Sequence, residues 1–317
     1  MTSDKDKESL SPPQPFWHQL FAEAQERLNY DPQDKAEFPP NALSALRLMR
    51  EPDLPVSIHM INQFSEGGKR RVYRTLMPPD LLAEFEIDPI SWKGPGGEQH
   101  VALAAPPDRG LVKIAARHSP DARDPFAYLE LVDTSFNSIN VVLLIISDPH
   151  SPRFDTDVSE DGEPTLFGTV HRNLRAELEA MEAGLAPAQV RRGLRASRTA
   201  LRHLEAFLAL LGHGTFYSEP LTYSAAILFE KRGFSYLSGR RFMELIDRQF
   251  RPGGDLYEAL DGSTPFRRRE QWRTIRGRAW AIHDGILETI GRRWDGVRMA
   301  KRLGRHAGVN TFPEAVY

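Results

Sequence analysis

The stretch TYSAAILFEKRGFSYL, Thr222 to Leu237, decides the fold. It reads as a helix that opens at Thr222, closes at Gly233 and passes through a tight turn into a strand. Ala225 lets the helix lie close to a sheet. Gly233 takes the left-handed conformation that residues with a Cβ resist, and Phe234 enters the core as the strand begins. These residues describe a unit in which helix and strand pack on each other.

Upstream of this unit, GTFYSEPL reads as a short strand. Before it, Leu194, Leu201, Leu204, Leu208 and Leu211 recur at helical spacing in a long helix that starts near Ala188 and stops at Gly212. Farther back the period changes to two. HVALAAP and GLVKIAARH flank a turn at Pro106 to Arg109, and YLELVDT and SINVVLLII flank Ser135 to Asn137, which predicts a meander. VSIHMINQF and RRVYRTLM, separated by Glu66, Gly67 and Gly68, predict a further hairpin, giving up to about six antiparallel strands. Phe16, Leu20, Ala24 and Leu28 fit one helix face, Asn41 to Arg50 fits a second, and residues 1 to 15 are polar, proline-rich and expected to be disordered. From Arg240 to Tyr317 the chain reads as mostly helical.

The chain has 317 residues, 40% hydrophobic content, a formal charge of -2 and no cysteine. That composition supports a sizeable core, and it excludes disulfides, thiolate metal ligands and thiol catalysis. The apolar run Ile139 to Ile146, broken by Asn140, is far short of the about 20 residues a bilayer span needs. The start MTSDKDKESLSPPQP lacks the basic and then apolar parts of a signal peptide. The expectation is a cytoplasmic protein with no membrane partner.

Thr222, Ala225, Leu228, Phe229, Lys231, Gly233 and Phe234 resemble the NxxAxxLYxKxGF segment of the GNAT N-acyltransferase superfamily, with Thr for Asn and Phe for Tyr. The order of elements from Gly110 to Gly239 is also similar to that family's core. The resemblance implies an α+β fold, a twisted and mainly antiparallel sheet flanked by helices. Residues 16–109 would extend it as helices and β-hairpins, 148–187 would be an insert, and 240–317 a helical C-terminal tail. It further implies transfer of an acyl group from acetyl-CoA or a longer acyl-CoA to a small-molecule or protein amine.

In that family a glycine-rich turn before the long helix holds the acyl-CoA pyrophosphate. The matching segment here is Arg191, Arg192, Gly193, Leu194, Arg195 and Ala196, which departs from the family spacing on both sides of Gly193. An oxyanion-binding amide is expected on the fourth strand near Leu144, Ile145 and Ile146. Phe229 stands where the family carries its tyrosine acid and cannot donate a proton, so Tyr217 and Tyr223 become substitutes. Glu219, His213 and His171 are candidate bases. Asp148 to Ala188 also inserts about 40 residues ahead of the turn, longer than an ordinary connection.

Three other features stand beside the resemblance. Asp157 to Gly168 opens like a calcium loop but ends on Gly168 where a bidentate glutamate is needed, so an acidic mobile loop is the preferred reading. His59, His100 and His118 have no metal-ligand spacing, and no metal is expected. Between Arg267 and Arg305, basic residues outnumber acids around Trp272, Trp280 and Trp294. The helical spacing of Trp272, Ile275, Ala279, Ile282, Ile286 and Ile290 assigns the tryptophans to core or interface, which makes these helices a candidate homodimer surface. Two functions therefore stand as alternatives to catalysis. One is a GNAT-like module that binds or assembles without chemistry, and the other is a phosphate-rich ligand or RNA binder using the C-terminal arginines.

Overall fold

The computed structural model describes residues 55–166, 168 and 171–316. The expected tail at 1–15 and the helices at Phe16 to Leu28 and Asn41 to Arg50 lie outside the described residues. Within them the fold is mixed α+β around one seven-stranded, mostly antiparallel open sheet.

Strands β1 (Val101–Ala104), β2 (Leu111–Ala116), β3 (Ala127–Asp133) and β4 (Ile139–Ile146) form the predicted antiparallel meander. β5 (Thr215–Ser218) joins β4 in parallel, after which β7 (Arg298–Arg302) and β6 (Ser235–Ser238) complete the order β1-β2-β3-β4-β5-β7-β6. One continuous core holds Leu129, Leu131, Ile139 and Val141 of the sheet together with Leu204, Phe207, Leu208 and Leu211 of the long helix α5 (Ser197–Leu211). Gly212 ends α5 in the left-handed conformation at φ 88°.

The predicted hairpin at 56–77 is replaced by helices α1 (Ile58–Asn62) and α2 (Glu66–Tyr73), followed by a 3-10 turn and α3 (Pro79–Ala83). The alternation of Val56, Ile58 and Met60 is coincidental, since Ile58 and Ile61 are the buried pair and Ser57 and Ser65 cap the two helices. Asp133, at the end of β3, accepts hydrogen bonds from the Ile58 and His59 amides at 2.8 Å each. Buried Asn62 donates to the carbonyls of Arg109 and Leu111 and accepts from the Tyr73 hydroxyl at 2.6 Å. These bonds fasten α1 and α2 to the meander.

Between Thr222 and Ser238 the structure follows the sequence closely. Helix α6 (Tyr223–Lys231) is capped by the Thr222 hydroxyl, which accepts from the Ala225 amide at 3.2 Å. Gly233 has φ +83°, and Phe234 packs against Phe229 and Phe216 at centroid distances of 4.8 and 5.5 Å. Thr222→Ala is expected to cost about 1 kcal/mol of stability, read as a lower urea midpoint at unchanged slope.

The segment 240–317 is not a purely helical tail. α7 (Arg240–Gln249), α8 (Asp255–Glu258) and α9 (Ile275–His283) lie in the connection between the neighbouring strands β6 and β7. Nor does α9 offer a dimer surface, because its residues from Gly277 to Ile282 are buried within the chain. Trp280 stacks on Phe266 in a second core with Ala180 and Leu185, and its indole donates to the Leu185 carbonyl at 2.8 Å.

The insert after β4 carries α4 (Leu174–Glu182) and docks on this helical region. Arg172 binds Glu177 and Asp284, Arg267 also binds Asp284, and His283 meets Glu177 at 3.1 Å. Burial alone would raise Glu177, but His283 and Arg172 hold its carboxyl below the usual range. The acidic loop is held by similar pairings, with Arg153 bridging Asp124, Asp155 and Asp157. No helix among the described residues is long and apolar enough to cross a membrane.

Candidate functional site

The parallel pairing of β4 with β5 is brief. It runs from Ile139 beside Phe216 to Val141 beside Ser218, where β5 ends while β4 continues to Ile146. The buried Ser218 hydroxyl donates to the Val141 carbonyl at 2.9 Å and closes the last rung. Beyond it the β5-side edge of β4 has no strand partner among the described residues.

A bulge sits where the strands part. Leu131 faces Val141 and Glu130 faces Leu143, so Val142 is the extra residue, and it is 38% exposed. Such a bulge bends its strand and re-aims the groups that follow. Continuing the register puts Glu219 level with Val142, and Leu221 just beyond it is also exposed.

The turn before α5 closes the far end of this gap. Despite the intervening insert, the Asp148 amide donates to the Arg192 carbonyl at 2.7 Å and the Phe154 amide to the Val190 carbonyl at 2.9 Å. The insert is thus looped out, and residues 191–196 return to the end of β4. A Cβ on Gly193 would stand 3.3 Å from the Ile146 carbonyl oxygen. Ala196 precedes α5 without a side-chain cap, and Arg195 has φ +60°, left-handed where the family turn has glycine or alanine.

The arginines of this turn divide by role. Arg191 is committed to Asp124 at 3.2 Å and to the carbonyls of Pro149 and Ser151, so its expected phosphate-binding role gives way to a structural one. Arg192 is exposed, and among the described residues its side chain reaches the Ala183 carbonyl alone, at 3.3 Å. Arg195 and Arg198 are exposed, and Arg232 arrives from the end of α6 to donate to the Ser197 hydroxyl at 3.0 Å. Near the end of β4, burial and the neighbouring His150 and Arg191 lower the pKa of His118. Positive potential therefore gathers at this end of the site.

Tyr217 and Glu219 stand together on β5 and the residue following it, lining a cavity of about 120 Å³ with Asn140 and Arg298. His213 does not join them. It lies past the opposite end of β5, roughly 20 Å of extended chain from Glu219, buried with Nε2 3.0 Å from the Val56 carbonyl. Burial also depresses its pKa. Tyr223 is excluded by position as well, since its hydroxyl is buried, and burial raises its pKa. His171 is exposed in the insert just before α4.

Asn140, Ser218 and Arg298 escaped the sequence reading. Asn140 had left a mark as the break in the apolar run, whereas Arg298 belongs to a strand with no hydrophobic signature. No family model, curated protein or solved structure matches the chain.

Proposed function

We propose that the protein is an acyl-CoA-dependent N-acyltransferase built on a GNAT-like core. The observation that carries this reading is the parting of β4 from β5 at the Val142 bulge, with the Gly193 turn seated against the end of the same strand. The resemblance at Thr222 to Phe234 predicts that arrangement from residues outside the gap.

The residues present fit an acyl-CoA. The first-turn amides of α5 lack a side-chain cap, and Arg192, Arg195 and Arg198 lie near them, a donor set suited to phosphates. Gly193 keeps the turn close to the Ile146 carbonyl. Bound there, acyl-CoA supplies the acyl group as an activated thioester. The open edge of β4 near Leu144, Ile145 and Ile146 offers an amide to the developing oxyanion. Glu219 accepts the proton of the incoming ammonium. Tyr217 is the described tyrosine nearest that carboxylate in sequence and shares its cavity, so it takes the acid role that Phe229 cannot fill.

Acetyl-CoA and longer acyl-CoAs are expected to raise the melting temperature, by mass action worth about 2.7 kcal/mol at a hundredfold excess over Kd. Arg195→Glu should abolish the shift. If no acyl-CoA shifts the transition at millimolar concentration, the proposal fails. Phe229, packed on Phe234 with no hydroxyl, favours a second reading as a non-catalytic binder. Acyl-CoA binding without transfer to any amine would identify that case. The nucleic-acid alternative is weakened because several C-terminal basic residues are held in largely buried pairs: Arg267 with Asp284, Arg278 with Asp247 and Lys301 with Glu205.

A further inference from the structure

We propose that the cavity where β4, β5 and β7 meet binds a free α-amino acid, with Glu219 holding its ammonium and Arg298 its carboxylate. Its role as the acyl acceptor rests on the acyltransferase reading, but the binding itself does not.

The Glu219 carboxylate and the Arg298 guanidinium are 2.9 Å apart, with side chains 61% and 63% exposed. An exposed pair of this kind contributes little to stability, so each partner readily exchanges the other for a ligand charge. Because the two charges are adjacent and opposite, they match a solute whose own opposite charges are separated by one carbon. Amines without a carboxylate would set their ammonium beside Arg298 unopposed. A protein N-terminus or a lysine side chain has that defect, which selects the small-molecule acceptor over the protein one.

Behind the pair the cavity is polar where a ligand backbone would lie. Asn140 and Tyr217 are neighbours in the β4–β5 register and both line it. Neither the Asn140 side-chain amide nor the Tyr217 hydroxyl makes a hydrogen bond to another described residue. Thr134 adds a hydroxyl that accepts from the Ser138 amide at 3.2 Å. Val132 and the exposed Leu237 form apolar walls for a side chain. A cavity of about 120 Å³ admits a compact solute and no folded partner.

The test is equilibrium binding by saturation-transfer NMR and calorimetry on the full chain with no coenzyme present. The probes are glycine, L-serine and L-leucine, compared with L-leucinamide and N-acetyl-L-leucine. The expected result is binding of the free amino acids, with at least about tenfold loss for the amide and for the N-acetyl derivative, the scale of one charge-assisted bond. Glu219→Gln and Arg298→Gln should each produce a similar loss while the ligand-free melting temperature stays unchanged. Absence of binding by all three amino acids overturns the proposal. Equal binding of L-leucinamide, or unaltered affinity in both variants, overturns it too. Because acyl-CoA is absent, a negative result here leaves the thermal-shift test of the acyltransferase untouched, and the reverse holds equally.

Discussion

Arg278→Ala is expected to remove about 3–5 kcal/mol of unfolding free energy, the usual cost of leaving half of a buried ion pair behind. Arg278 is 0% exposed in the middle of α9. Its Nη1 donates to Asp247 at 2.9 Å and its Nε to the Trp272 carbonyl at 2.6 Å. Its guanidinium carbon lies 3.4 Å from the centre of the Phe312 ring and 5.2 Å from that of Phe250. Alanine would strand the Asp247 oxygen and the Trp272 carbonyl and open a void between two aromatic rings. Arg251 reaches Asp247 only from the half-exposed side, at 2.9 Å on the other oxygen. Equilibrium urea unfolding measures the effect. A loss under about 1 kcal/mol would mean that the pair is not desolvated as described. Replacing both partners, as Arg278→Met with Asp247→Leu, should recover much of the loss, because no buried charge is then left unpaired and Arg251, which loses Asp247, is 43% exposed.

Gly233→Ala is the second large effect, at about 2–4 kcal/mol. A left-handed backbone costs a residue with a Cβ roughly 1–2 kcal/mol. At φ +83° the added carbon would also stand 2.8 Å from the Cα of His306, where the Ala307 amide donates to the Gly233 carbonyl at 3.1 Å. The backbone after β7 would have to move. Gly262→Ala isolates the conformational part, since Gly262 has φ +77° with nothing within 4 Å of an added Cβ. Equal losses at the two glycines, measured by the same unfolding experiment, would show that the contact with His306 contributes nothing.

Sequence legibility tracked whether a signal was local. The cap at Thr222, the stop at Gly233 and the meander from Val101 to Ile146 are written in neighbouring residues, and the structure has each where the sequence puts it. The helices at Ile58 and Glu66 were misread because three apolar residues happened to alternate. Ser57 and Ser65, which cap them, are the local signal that the helices do carry. β7 had no local signal at all, for in RMAKR only Met299 and Ala300 are apolar. Its Lys301 can be buried because Glu205 pairs with it at 3.5 Å and the Arg305 carbonyl accepts a hydrogen bond from its ammonium, both partners supplied by the fold.

The candidate site divides in the same way. Glu219 and Tyr217 could be named from their nearness to the GNAT-like segment, but so could His213, and only the direction of β5 separates them. The return of Gly193 to Ile146 was hidden by the insert, since nothing in its sequence says that the insert loops out and docks on Trp280.

The excursion from Gly239 to Val297 gives the sheet an order of assembly. β7 follows the other six described strands in the chain, yet it lies between two of them. Until it arrives, β5 has an open edge and β6 has no described strand partner. Both neighbours of residues 298–302 pair with them across the long connection that carries α7, α8 and α9, so closing this half of the sheet requires a long-range search rather than a local hairpin.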